Sequence, residues 1–521
     1  MIKTQTSSLP YALDPVPLYR GLCSQFGRRN TMLLESADIH TRAGQKSFLM
    51  IKAALKFRAY KERVVVESLS SLGNFLLDQL TNNPSLPVES RSESKLVFAI
   101  HGDRYDQSLS AQLHKKSCLD VLRDAIKLHV RLAKDVDPSL FLVAGILAYD
   151  LVDHFEKLPN SVSDPHEFPD YAFWFPEVFV VVDHISKKSR VVTHSLESQT
   201  HNETPSIARV VKQFGRTFDQ KRSRDVQPKH GEIPFSSDIS DTEFASLVEK
   251  LKERIVAGDV FQIVPSRTFN IPCKDSLLSY ERLKAINPSP YMYYVVDDEF
   301  ELCGASPETF IKLDAATRKI EVKPIAGTRR RGFRKDGTID PELDSRLEAE
   351  LRLDTKELAE HMMLVDLARN DIARVSELGT RQVHRLLSVE RYSHVMHLVS
   401  HVQGKLRNDL DGMHAYQASM NMGTLVGAPK IKAAQILREN ELTKRGTYGG
   451  AIGYLDAAGN FDTAIIIRSA LIRNNVAFVR AGAGVVYDSV PIEETKETLS
   501  KASSVLSAIH SANLLIEDLP S

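Results

Sequence analysis

Net charge is missing from this chain. Its 67 Lys and Arg residues balance 67 Asp and Glu residues over 521 positions, and the isoelectric point is near 7.3. No global basic field exists to hold nucleic acid or an anionic membrane surface. Long apolar runs are absent too, and none reaches the roughly 20 residues that a membrane-spanning helix needs. Between Met1 and Asp14 no apolar core follows a basic flank, so no secretory signal is expected. Cysteine is scarce: Cys23, Cys118, Cys273 and Cys303 form no CxxC pair and no disulfide framework, as expected of reduced thiols in a cytoplasmic protein. Neither GxGxxG nor a P-loop occurs, which leaves nucleotide-binding folds without support.

What is there has the composition of an ordinary soluble globular protein, 42% apolar and 26% charged. The length allows two or three domains. A polar stretch at 212–240, holding Pro228, Gly231 and Pro234, reads as a connector. It separates a region at 15–205 from a larger one at 241–510, with the connecting segment drawn at 206–240. The first region mixes strand-like runs at 63–67 and 178–182 with helices such as 119–134. The second opens on the capping box Ser240-Asp241-Thr242-Glu243. Phe244, Leu247, Val248, Leu251 and Ile255 then recur at helical spacing, and Gly258 ends the helix. Strand-like pieces follow at 260–270, 291–296, 300–303, 309–314, 318–325, 449–455, 463–472 and 476–486. Turns at Asp297-Asp298 and Arg473-Asn474-Asn475 divide them as hairpins. The pattern predicts an α+β protein of large antiparallel sheets with outer helices.

The most informative stretch is Glu321 to Arg330, read as a strand ending in a tight turn with Gly327-Thr328-Arg329 at its tip. Backbone N–H groups, a hydroxyl and guanidinium groups suit a small, multiply anionic ligand. Two carboxylate-rich helices follow. Asp354 caps the first and Glu357 stands at its third position, where an acidic residue is also simply a good complement to the helix N-terminus. Glu360 lies one turn on, as a solvated carboxylate or as a ligand. The second helix starts at Pro491, and its Glu497 and Lys501 form either an exposed ion pair or part of a site. If the helices converge, Glu360 and Glu497 offer hard oxygens of the kind Mg²⁺ takes. His397 falls in an alternating strand pattern, as a hydrogen-bonded core histidine or a functional one. The run Arg480 to Val486 is either a close-packed strand or an anion nest at Gly482, Ala483 and Gly484.

Five segments carry a family resemblance: Asn287 to Met292, Pro324 to Arg329, Leu364 to Asp371, Gly423 to Lys430, and Glu497 to Ala502. Together they resemble the chorismate-utilising enzymes, and among those the large subunits that make anthranilate. The resemblance implies a sandwich of antiparallel sheets with helices outside. It also implies a tryptophan-binding regulatory region at 15–205 and a catalytic domain at 241–510. Position by position, Glu360 and Glu497 resemble Mg²⁺ ligands, with Glu357 and Glu494 acting through water. Gly327, Thr328, Tyr448, Arg468, Gly482 to Gly484 and Lys501 resemble the groups that hold the chorismate carboxylates. His397 and Glu308 resemble the acid–base pair. Ser36, Lys46, Pro290, Tyr291 and Met292 resemble an L-tryptophan site, with Tyr291 and Met292 walling the indole.

Two positions separate the sister activities in that family. Aminodeoxychorismate synthases of the common type carry Lys where this chain has Ala326, and isochorismate synthases activate water with a Lys where it has Gln262. Neither Ala nor Gln can act as a base or nucleophile, so the resemblance implies ammonia as nucleophile and anthranilate as product. No cysteine lies in a GxCxG elbow, so the ammonia is expected from a separate glutamine amidotransferase subunit, in a heterotetramer by resemblance. His397, with an ordinary imidazole pKa near neutrality, is expected to be the base.

Overall fold

The computed structural model describes residues 1–35, 46–82, 84–100, 109–133, 135–159, 163–197, 204–214, 233–334, 336–392 and 395–517. Two long strands organise it, Lys46–Tyr60 and Tyr171–Asp183, paired antiparallel from Lys46↔Asp183 to Ala59↔Tyr171. Their register shifts at Met50/Lys52, Lys52/Ala53 and Ala53/Leu55. Such bulges bend a strand and increase its twist, so each strand serves one sheet with its first half and another with its second.

In the first sheet Thr31–Glu35 joins Lys46–Tyr60 to Tyr291–Val296. The order then runs through Glu301–Ser306, Ser469–Arg473, Val476–Gly482 and Ser266–Pro272. In the second, Leu142–Leu147 joins Tyr171–Asp183 to Ala451–Asp456, followed by Phe461–Ile465, Thr309–Asp314, Lys319–Val322 and Val395–Lys405. Ile325–Arg330 and Gln382–Arg391 extend it at that end, and Arg63–Ser68, Lys95–Ala99 and Val88–Arg91 extend it beyond Lys46–Tyr60 at the other. Strands from before and after the 206–240 connector thus hydrogen-bond to one another in both sheets.

Strand alternation sorts the apolar residues into layers. Met50, Trp174, Phe179, Tyr293, Ile452 and Leu471 lie buried between the two sheets. The opposite face of the first sheet buries Met292, Tyr294 and Val479 under the helices Pro15–Phe26, Ser276–Ile286 and Pro491–Glu517. The second sheet's outer face buries Val143, Leu455 and Ile465 under Ser71–Thr81, Leu119–Leu132 and Thr355–Ala373. This is the α+β sandwich with outer helices. Among the described residues no helix is long and apolar enough to cross a membrane.

Several local expectations hold to the residue. Ser240 and Glu243 form the capping box of helix Asp241–Val256, and Asn474 and Asn475 take positive φ in the two-residue turn before Val476–Gly482. Others need correction. The piece at 260–270 breaks into Gln262–Ile263 and Ser266–Pro272 at Pro265, and the piece at 318–325 breaks at Pro324, because proline has no N–H to give a ladder. The piece at 463–472 breaks at Arg468, which takes φ 49°. Thr204–Phe214, within the expected connector, is a helix that buries Ile207, Val210 and Val211 in the same cluster as Pro15–Phe26. Three apolar residues at i, i+3 and i+4 were the signal for it.

The hairpin tip at Asp297 is held by charge. Buried Lys56 and Arg58, from the long N-terminal strand, both pair with buried Asp297, and Lys56 reaches Asp298 at 2.5 Å. Removing one member of a buried ionic group strands the others without compensation. Asp297→Ala is expected to lower the unfolding free energy by about 3 kcal/mol, measured by chemical denaturation. A change within the error of that measurement would mean these charges are already adequately hydrated.

Candidate active site

Helix Thr355–Ala373 starts where Asp354 accepts hydrogen bonds from Lys356 N and Glu357 N, each at 3.1 Å. Arg329 anchors that cap, pairing with Asp354 at 2.6 Å and Glu357 at 3.1 Å. Arg329 does not sit in a turn, as the sequence led us to expect. Gly327-Thr328-Arg329 lies inside strand Ile325–Arg330, where the register against Val395–Lys405 shifts between Ala326 and Thr328. Gly327 takes φ 77°, and a Cβ there would come within 3.2 Å of Glu357 Oε2. The bulge therefore favours glycine through its backbone conformation, with the side-chain ends of Leu351 and Glu357 close by.

One turn further, Glu360 accepts a 2.7 Å hydrogen bond from Gln262 Nε2. Burial raises the pKa of Glu360, and the charges of Glu357 and Glu497 push the same way, against Gln262 and Lys501. The two carboxylate helices thus bring their acids into electrostatic range. On the second helix Glu497 pairs with Lys501 at 2.6 Å, and Lys501 donates to the Gly482 carbonyl at 3.1 Å. Glu494 is buried, its pKa raised by burial and by Glu497, and its Oε2 has no hydrogen-bond partner. The glycine run closes over this group: a Cβ on Gly484 would lie 3.5 Å from Glu360 Oε1, and one on Gly482 would lie 3.0 Å from the Tyr448 hydroxyl. Of the three backbone N–H groups expected to receive an anion, that of Ala483 is committed to the Pro265 carbonyl at 3.1 Å.

Among the described residues no three His, Cys, Asp or Glu side chains form a ready metal cage. Glu360 and Glu497 still fit Mg²⁺, which takes one or two protein carboxylates and completes its octahedron with water and substrate oxygens. Repelling carboxylates with no full complement of protein cations are a donor set a divalent cation relieves.

The acid–base candidates sit around Arg468. Glu308 is buried, and burial pushes its carboxyl up to about 8 despite Thr424, the Ile325 backbone, Arg468 and Lys501. It is therefore protonated at neutral pH. His397 is buried as well, and burial with repulsion from Arg468 pushes its imidazole down to about 3, so the expectation of a near-neutral pKa is corrected. Its Nδ1 lies 2.9 Å from Thr328 Oγ1, the ring also bonds to the Gly327 backbone, and Nε2 is buried with no partner. That network assigns the proton to Nδ1 and leaves Nε2 a bare acceptor. Arg468 itself holds a positive φ and has its pKa lowered by burial.

Sequence reasoning missed three participants. Thr424 touches the Glu308 carboxyl, Tyr392 stands with its ring 5.3 Å from that of His397, and Gln262 bonds Glu360. The first two carry no periodic signal, because each acts alone from a short element. Gln262 was noticed only for the lysine it is not.

At the expected tryptophan site the residues part company. Ser36 lies outside the described residues. Lys46 opens its strand at the surface. Alternation puts Tyr291 and Met292 on opposite faces, which corrects the expectation that both side chains wall one pocket. Tyr291 hydroxyl reaches Thr309 at 3.0 Å and Asp462 at 3.1 Å, whereas Met292 is buried under the outer helices. A cavity beside Pro290 and Tyr291 extends past Ile325 to Tyr392.

Residues 85–507 match the chorismate binding enzyme family. The chain belongs to that family. It is 46% identical to anthranilate synthase component 1 of Vibrio cholerae serotype O1 over 508 residues, 96% of this chain and 95% of that one. Among solved structures, anthranilate synthase component I from Streptococcus pneumoniae superposes with TM-score 0.68 at 30% identity, covering 89% of this chain and 92% of that one. MenF, the menaquinone-specific isochorismate synthase from Escherichia coli, superposes with TM-score 0.64 at 18% identity, covering 98% and 95%, and shares the fold.

A carboxyl whose folded pKa is raised from 4.5 to about 8 favours folding most below 4.5 and loses that contribution as pH rises toward 8. Glu308→Gln removes the loss. Its stability relative to the parent is expected to improve by about 2 kcal/mol between mildly acidic and mildly alkaline pH in urea denaturation. Equal stability differences at both pH values would show that Glu308 ionises as an ordinary carboxylate.

Proposed function

We propose that the chain catalyses amination of chorismate to anthranilate with release of pyruvate, as the large subunit of an anthranilate synthase. The observation that carries this reading is the opposed tuning of Glu308 and His397, each within electrostatic range of Arg468: burial raises the carboxyl and lowers the imidazole, whose Nδ1 is held by Thr328 and whose Nε2 is left bare. Two titratable groups pushed apart by their surroundings divide the roles of proton donor and proton acceptor. The similarity to component 1 proteins points the same way.

Ammonia attacks C2 of the ring, the C2–N bond forms and the C4–O bond breaks. Hydroxide is a poor leaving group, so Glu308 gives the C4 oxygen its proton and water departs. In the second step His397 Nε2 takes the C2 proton, the C3–O bond breaks, and the enolpyruvyl group leaves as pyruvate after protonation at its methylene carbon. The bare Nε2 is the form a base needs, and a bound dianionic substrate raises its proton affinity from the value in the empty site. Thr328 fixes the ring through Nδ1 at 2.9 Å. Arg468, Lys501, Tyr448 and the Gly327 bulge border the space where the substrate carboxylates would pair. Glu360 and Glu497 would hold Mg²⁺, with Glu357 and Glu494 acting through water; the ion supplies charge neutralisation for the ring carboxylate when bound.

Ammonia is supplied by a separate glutamine amidotransferase subunit. L-tryptophan inhibits at the junction of Ser36 and Lys46 with Pro290, Tyr291 and the backbone of Met292. Support for that junction is the direct pairing of Tyr291–Val296 with Thr31–Glu35, in which Met292 opposes Glu35. By linkage, chorismate then weakens tryptophan as much as tryptophan weakens chorismate.

The purified chain supplied with chorismate, Mg²⁺ and an ammonium salt is expected to yield anthranilate, read by its fluorescence, at a rate that L-tryptophan lowers. Glu360→Gln, which removes one proposed ligand charge, is expected to cost at least ~100-fold in turnover. Isochorismate or aminodeoxychorismate as the product would refute the amination–elimination reading. An unaltered rate for Glu360→Gln at low Mg²⁺ would refute the ligand assignment, and indifference to tryptophan would refute the regulatory one.

A further inference from the structure

We propose that Glu390 is a positioning residue for the elimination step: held by Tyr392 and His401, its carboxylate supplies the negative charge that favours a proton on His397. The proposal rests on the amination reading above and adds to it the residue that lets a buried imidazole serve as base.

The sheet fixes the arrangement. In the antiparallel ladders His397 has Thr328 directly opposite on one side and Glu390 directly opposite on the other. Residues paired in this way project from one face with Cβ atoms about 5 Å apart. Thr328 Oγ1 lies 2.9 Å from Nδ1, so it orients the ring but brings no charge to it. Both oxygens of Glu390 are tied down. Its Oε2 accepts the Tyr392 hydroxyl proton at 3.0 Å, and its Oε1 accepts that of His401 Nε2 at 3.2 Å. Tyr392 is buried, and its ring meets the imidazole at an angle of 66° with centroids 5.3 Å apart. The tyrosine thus spans from the base at its ring to the carboxylate at its hydroxyl. Burial works against the charge on Glu390, yet His401, Tyr392 and Lys323 together hold its carboxyl below the ordinary range.

The chemistry needs such a charge. Burial disfavours the imidazolium form of His397 and Arg468 repels it, whereas the Gly327 backbone and Glu390 favour it. A base oriented by a third group is the usual arrangement for proton abstraction; here orientation falls to Thr328 and charge compensation to Glu390. Water is largely kept out, so a carboxylate acting at this range is felt more than it would be in solvent. In the step itself His397 Nε2 takes the proton from C2, the C–H electron pair enters the ring, and the C3–O bond breaks with loss of the enolate of pyruvate. That enolate takes up one proton at its methylene carbon, matching the one His397 then gives up. The imidazolium exists only between those two events, and Glu390 acts on it there. Amination places no charge on His397 and gives Glu390 no part.

The test uses the full chain with ammonium salt as the nitrogen source and follows chorismate consumption and anthranilate release separately. Glu390→Gln keeps the shape of the side chain and loses its charge. Chorismate consumption in a single turnover is expected to stay within about twofold of the parent while elimination slows about tenfold, part of what a general base supplies. The aminated intermediate, still carrying its pyruvyl ether, is then expected to accumulate on chromatography. The isotope effect on anthranilate release from chorismate deuterated at C2 is expected to rise. Glu390→Asp restores the charge and is expected to recover most of the elimination rate. If the glutamine variant does not fold, Tyr392→Phe is read instead: it keeps the ring, releases Oε2, and is expected to give the same accumulation to a smaller extent. An equal loss in both half-reactions, or no accumulation with an unchanged isotope effect, would overturn the proposal and leave Glu390 as a structural partner of His401. If the parent makes no anthranilate from ammonium, the amination reading fails first and this inference falls with it.

Discussion

A charge moved out of water must find a partner or change its protonation state, and the site depends on that constraint more than on any single contact. Two outcomes of the same rule stand side by side. Arg58 and Asp297, remote from the chemistry, are buried together and stay paired. Glu308 is buried with too little positive charge around it and keeps its proton, while His397, facing Arg468, gives its proton up. Pairing makes a latch, and incomplete pairing makes an acid and a base.

The fold supplies the incompleteness. Two bent strands let one chain close a sandwich, and the helices outside it deliver carboxylates from opposite directions to its rim. Polar atoms left without a hydrogen-bond partner at the site include Gln262 Oε1, His397 Nε2 and Glu494 Oε2. Stability alone would not retain such atoms, since each costs free energy when buried and unsatisfied. A ligand with several anionic and hydrogen-bonding groups is what such a rim is complementary to.

Much of this was legible in the sequence where a signal is local. The caps at Asp354 and Ser240 and the hairpin turns depend on residues a few positions apart, and they fall where the sequence puts them. The meeting of Glu360 with Gln262 joins residues 98 positions apart, and no local rule reports it. The bulge at Gly327 was taken for a turn because glycine marks positive φ in both. The split between Tyr291 and Met292 was readable from strand alternation alone. Protonation states were out of reach, since His397 looks neutral-range in any sequence and only its burial beside Arg468 decides otherwise.

The central claim is that burial, before any substrate arrives, has already set the acid. Carboxyl ¹³C NMR titration of the full chain labelled at glutamate, with Glu308 assigned by its loss in Glu308→Gln, measures that directly. A carboxyl titrating near 8 is expected. A Glu308 resonance that titrates in the ordinary glutamate range, near 4.3, would contradict it.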